Sequence, residues 1–264
     1  MKKVAILFHG HLRSYETTAP LFNKNVVSHL RDNGFDVDVF LHTWDEEEFT
    51  TKTWHAGTKD VKKTEDQKIK NCYCPTKFKI EKQVLENTTR YMFTRPYSAI
   101  KSVWYSFHQS WKMMVENEKS NDKRYDYVIV TRPDVIHYSN FLIDELVQDE
   151  DLWQCQVYCN GAASDVLLYS SRDNIEKSVC KFYENFDYLH HPDNLQNTTW
   201  QEYTFNEFVK KLVSVKVSKY CMPRDWRIQR SWWDLDHKEG HRKWDKDLAN
   251  EEIQNRKEYE YFKL

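Results

Sequence analysis

The stretch YDYVIVTRPDVIHY, residues 125–138, constrains the fold more than any other part of the chain. An unbroken apolar run from Tyr127 to Val130 leads directly into Arg132, Pro133 and Asp134. A run without polar alternation needs burial on both faces, the habit of a central parallel strand. Charges at its carboxyl end fall where open α/β sheets keep their ligands. Alternation along a strand puts Arg132 and Asp134 on one face, with Pro133 turned away.

The start of the chain agrees. KVAILF reads as a buried strand. TTAPLFNKNVVSHLRDNG places Leu21, Phe22, Val26, Val27 and Leu30 near helical spacing and stops at Gly34, and DVDVFLHTW resumes as a strand. This βαβ opening ends its strands in polar clusters, His9-Gly10-His11-Leu12-Arg13 and His42-Thr43-Trp44-Asp45, so both loops converge on one sheet edge. From Tyr97, Ile100, Trp104, Phe107, Trp111 and Met114 recur at three- and four-residue spacing, which predicts a core-facing helix to about Glu118. Beyond the central strand, NFLIDELVQ reads as a short helix, LWQCQVYC and SDVLLYSS as strands, RDNIEKSVCKFYENF and QEYTFNEFVKKL as amphipathic helices, and VSVKV as the final strand.

The expected fold is therefore α/β: a Rossmann-type, mixed but mainly parallel sheet flanked by helices, occupying residues 1–222. Within it, residues 46–95 are charged, Lys-rich and weakly periodic, and read as a long lid-like excursion with at most one short strand at Lys77–Ile80. Residues 223–264, dense in Trp and charge, read as a helical appendage.

Composition narrows the function. With 264 residues and 40% hydrophobic content the chain builds a sizeable core. A net charge of −2 and a pI near 6.6 supply no field for nucleic acid, so an anionic partner must be met by local Arg and Lys. The sequence has no G-x-G-x-x-G, no Walker phosphate loop and no G-x-S-x-G elbow. The six cysteines lack a four-ligand zinc spacing. No secretory h-region or membrane-spanning run is present, so reduced thiols and a cytoplasmic location are expected.

The strand-end residues His9, Gly10, Arg13, His42, Asp45, Arg132 and Asp134 mix cationic donors with a carboxylate suited to a divalent ion. A nucleoside-diphosphate-sugar fits that chemistry. An ion pair between Arg132 and Asp134, and a turn cap at Asp45, are the structural alternatives.

The ordered series ILFHGHLRSYE, VDVFLHTWD, YSAIKSVWYSFHQSWKMM, YDYVIVTRPDV and GAASDVLLYSS resembles a family of bacterial and large-virus glycosyltransferases of the GT-A type, over residues 1 to about 215. The resemblance implies a nucleoside-diphosphate-sugar donor, a glycan acceptor, and manganese or magnesium held by a carboxylate at Asp134. Asp134 matches the last Asp of the family's Asp-x-Asp signature, and Arg132 replaces the first. Asp165 matches a family carboxylate that orients the acceptor hydroxyl or acts as general base, and Glu202 is the second candidate base. A nucleotide-sugar- or carbohydrate-binding protein without turnover, and a sugar nucleotidyltransferase, stand as alternatives.

Overall fold

The computed structural model describes residues 1–48, 62–83, 91–92, 95–148, 150–155, 166–191, 201–220 and 224–228. Strand β1 (Lys3–Phe8) leads into helix α1 (Tyr15–Phe22), which widens into a π-helical turn (Asn23–Ser28) and closes with α2 (His29–Asp32). Gly34, at φ +84°, reverses the chain so that the Phe35 N–H bonds back to the Leu30 carbonyl. Strand β2 (Asp36–Trp44) then pairs parallel with β1, completing the expected βαβ unit.

The charged excursion contains more structure than its composition suggests. Helix α3 (Asp66–Tyr73) buries Ile69 and Tyr73, with Tyr73 packing edge-on against Phe22 of α1. The anticipated short strand is β3 (Lys77–Glu81). It is followed by the small antiparallel pair β4 (Tyr91–Met92) and β5 (Arg95–Pro96), and by helix α4 (Tyr97–Ser120), the expected core helix. Next come β6 (Tyr127–Thr131), β7 (Val135–His137), α5 (Ile143–Leu146), β8 (Asp151–Gln154) and β9 (Leu168–Ser171). A helix of α6 (Arg172–Ile175), a π turn (Glu176–Cys180) and α7 (Lys181–Glu184) follows, then α8 (Phe186–Leu189), α9 (Gln201–Val209), β10 (Ser214–Val217) and β11 (Trp226–Ile228).

Seven strands form one sheet in the order β10-β8-β9-β6-β1-β2-β3. Neighbours run parallel except around β9, which is antiparallel to both β6 and β8. The central apolar strand β6 is buried along its whole length, with β1 parallel on one side and β9 antiparallel on the other. Alternate residues feed two cores. Val4, Ile6, Phe8, Val39, Leu41 and Ile129 face α1, α2 and α3, whereas Ala5, Leu7, Phe40, Val128 and Val130 lie under α4 and the helices after β9. Burying each larger aliphatic or aromatic side chain is worth roughly 1.5–3 kcal/mol, so the two faces of β1 and β6 anchor the domain.

The chain leaves β1 outward to β2 and β3, then returns to the other side of β1 with β6. That reversal puts the topological switch point at the carboxyl ends of β1 and β6, the place where such sheets hold ligands.

The expected boundary at residue 222 does not mark the end of the core. β11 pairs antiparallel with β7, and Trp226 is fully buried, its indole N–H donating to the Tyr220 carbonyl. VSVKV is thus not the final strand. The rest of the anticipated appendage, including its surface helix, lies outside the described residues. Among the described residues, no helix is long and apolar enough to cross a membrane.

Candidate functional site

Strand β6 ends at Thr131, so Arg132, Pro133 and Asp134 share a turn and not a strand face. The Val135 N–H donates to the Arg132 carbonyl at 3.2 Å, closing a four-residue turn with Pro133 at its second position, where a fixed φ favours the reversal. Thr18 and Tyr73 both donate hydroxyl hydrogen bonds to the Pro133 carbonyl, pinning the turn to α1 and α3.

This turn folds Arg132 onto Asp134 as a fork. Arg132 Nε donates to Asp134 Oδ1 at 2.9 Å and Nη2 donates to Oδ2 at 2.6 Å. A second guanidinium arrives from the β1 loop: Arg13 Nη1 donates to Asp134 Oδ2 at 2.8 Å. Arg13 Nε also binds Glu48, at 3.0 Å from each carboxylate oxygen. Asp134 is completely buried, while the Arg13 and Arg132 side chains are 11% and 13% exposed.

Arg13 reaches this position from a left-handed backbone, φ +50°, which is uncommon for a bulky residue. Its own N–H donates to the Glu47 carbonyl at 2.8 Å. Glu47 is buried, burial raises its carboxyl above the usual range, and the Tyr15 hydroxyl donates to it. His11, in the same loop, is pushed down to about 4 by burial and by the Arg13 charge, so it is neutral near pH 7.

Gly10 is the other distorted position, at φ +90°. Among the described residues, no heavy atom outside its chain neighbours lies within 4 Å of where its Cβ would stand. Its N–H donates to Ser106 Oγ of α4 at 2.8 Å. His9 is buried, packs edge-on against Phe107, and its N–H donates to the Thr131 carbonyl, tying the ends of β1 and β6 together. His42 is fully buried too. Its Nδ1 lies 2.8 Å from Ser106 Oγ and its Nε2 lies 2.8 Å from Glu81 Oε2, and burial lowers its pKa to about 4.

The structure therefore brings Arg13, Arg132 and Asp134 into direct contact, while His9 is tied to Thr131, the residue before Arg132, and Gly10 to Ser106. His42 joins indirectly through Ser106, from inside the core. Asp45 stands apart just past the end of β2, half-exposed, with Lys63 at 3.3 Å. Asp165, and the side chain of Glu202 at the start of α9, lie outside the described residues.

Sequence reasoning missed Glu48 and Ser106. Glu48 sits in a DEEE run that reads as solvated loop. Ser106 had a signal, because Ser98, Ser102, Ser106 and Ser110 recur every fourth residue of α4, a small-residue stripe that lets the helix approach the sheet.

A divalent metal does not fit the described residues. Both Asp134 oxygens already accept guanidinium hydrogen bonds, and a dication there would sit against two positive forks. Among the described residues no group of three or more His, Cys, Asp or Glu side chains converges as a metal site.

No protein-family profile matches the chain, and no curated protein matches it. Among solved structures, a glycosyltransferase involved in the glycosylation of the major capsid of PBCV-1 is similar with 11% identity and a TM-score of 0.39, covering 83% of this chain and 82% of that one. A likeness this distant carries no argument about chemistry.

Proposed function

We propose that the protein is a glycosyltransferase that moves a sugar from a nucleoside-diphosphate-sugar to a hydroxyl of a glycan. The observation that carries this reading is the convergence of Arg13 and Arg132 on buried Asp134 at the point where the strand order reverses. When the glycosidic bond to the donor breaks, the leaving diphosphate gains negative charge. Guanidiniums fixed in advance by a buried carboxylate meet that charge without reorganising. A guanidinium presents its N–H donors in a planar fork that matches the geometry of phosphate oxygens. The expected manganese or magnesium enters no step of this mechanism. Asp165 and Glu202 are the proposed groups for taking the acceptor proton. Cys72, Cys74, Cys155 and Cys180 carry free thiols, which suits the reducing cytoplasm expected for the protein.

The test is nucleoside diphosphate release from a panel of donors, with and without glycan acceptors. Acceptor-dependent release supports transfer. Release of pyrophosphate from a nucleoside triphosphate would instead mark a nucleotidyltransferase. One observation favours a second reading. Asp134 is saturated by arginines, as in a site that holds a donor without turning it over. Donor binding with no diphosphate release under any condition would establish that binding protein.

A further inference from the structure

We propose that Ser106 and His42 are positioning residues that lock the Gly10 turn into the shape a donor diphosphate approaches; this rests on the glycosyltransferase reading. The Gly10 N–H occupies one lone pair of Ser106 Oγ at 2.8 Å. Of the two acceptors within reach of the Ser106 hydroxyl, the His42 carbonyl at 3.4 Å and His42 Nδ1 at 2.8 Å, the nearer Nδ1 takes its proton, which leaves His42 neutral with its proton on Nε2. Nε2–H donates to Glu81 Oε2 at 2.8 Å, a carboxylate further held by the Tyr105 hydroxyl and the Lys79 ammonium.

The opposite tautomer would aim a bare Nε2 lone pair at the Glu81 carboxylate, so the direction of the relay follows from its ends. Ser106 and His42 are both fully buried, so neither touches a ligand. On its other side the turn is open among the described residues: the missing Cβ of Gly10 meets none of their atoms within 4 Å. A turn held from inside and bare outside suits close approach of a ligand to backbone. This gives His42, a sequence-level candidate for donor contact, a role through the backbone.

The relay and its function are tested separately with Ser106→Ala and with Ser106→Thr, which restores the hydroxyl. The chain has only 5 glycines, so selective ¹⁵N-glycine labelling isolates the Gly10 amide. Its hydrogen exchange is expected to be at least about tenfold faster in Ser106→Ala and to return toward wild type in Ser106→Thr. Imidazole ¹⁵N shifts should report His42 as the Nε2–H tautomer. Equal Gly10 exchange in wild type and Ser106→Ala, or an Nδ1–H tautomer at His42, would overturn the lock. In turnover assays Ser106→Ala should raise donor KM about tenfold with kcat nearly unchanged. An unchanged KM in an active, folded Ser106→Ala variant would overturn the donor role. Absence of turnover in the wild type itself would remove the glycosyltransferase reading and that role with it, while the exchange data still decide whether the lock exists.

Discussion

Asp134→Asn changes the site by a single charge and one donor. The carboxylate is fully buried and accepts three charge-assisted hydrogen bonds from guanidiniums that are themselves nearly buried, so solvent screening offsets little of the loss. Asparagine supplies one carbonyl oxygen, and its amide N–H groups face guanidinium donors. Breaking a buried ion pair by removing one partner costs about 3–5 kcal/mol, and retention of the Arg13–Glu48 pair puts this case near the lower end. For a domain of this size ~3 kcal/mol corresponds to a melting decrease of roughly 6–12 °C. Urea denaturation followed by tryptophan fluorescence measures the loss directly. A cycle through Arg132→Met and the double variant isolates the pair, and its coupling should exceed about 1 kcal/mol. A loss under about 1 kcal/mol for Asp134→Asn, the level of an exposed pair, would refute the claim that this cluster is a desolvated, preorganised unit.

Three further outcomes follow from the same geometry. Burial holds His11 and His42 at about 4 and His137 at about 3, below the unfolded value near 6.5, so the unfolded chain binds more protons in that window. Their contribution is intact above pH 6.5 and is lost as pH falls toward 4 and below, on the order of 3 kcal/mol each; a flat urea midpoint from pH 7 to 4.5 would contradict it. Gly10→Ala should cost about 1–2 kcal/mol from the positive φ alone, because the added methyl meets no atom of the described residues, yet should weaken donor binding more than it lowers stability. Calorimetric titration of the folded variant with nucleoside diphosphate checks this, and unchanged affinity would place the ligand away from the turn. Trp226→Ala should cost about 3–5 kcal/mol in urea denaturation, since β11 belongs to the core, and a loss under ~1 kcal/mol would return that segment to an appendage.

The parts of the fold visible in the sequence are those whose burial leaves a periodic trace. β1 and β6 show as unbroken apolar runs because both faces are covered, and α4 shows through Ile100, Trp104, Phe107, Trp111 and Met114. α3 was hidden because only Ile69 and Tyr73 face inward, four residues apart in a polar segment. β11 was hidden because three residues give no period, and its pairing with β7 is nonlocal. The site divides in the same way. The pairing of Arg132 with Asp134 was legible from their spacing, although a Pro133 turn creates it and not strand alternation. Arg13 could not be assigned to Asp134, because that contact spans 121 positions and depends on a left-handed residue in the β1 loop. The metal expectation treated Asp134 as an open ligand, and only the tertiary structure reveals two guanidiniums already bound to it.

The central claim is that the switch point at the carboxyl ends of β1 and β6 takes a nucleoside diphosphate through arginines. Thermal denaturation across a panel of nucleoside diphosphates and their sugars, with manganese in one arm and a chelator in the other, tests it most directly. One base should raise the melting temperature in both arms, since ligand at ~100 times its dissociation constant adds about 2.7 kcal/mol. Arg132→Lys, which keeps the charge but loses the fork, should weaken that binding about tenfold. Stabilisation confined to the manganese arm, or none by any nucleotide, would contradict the account.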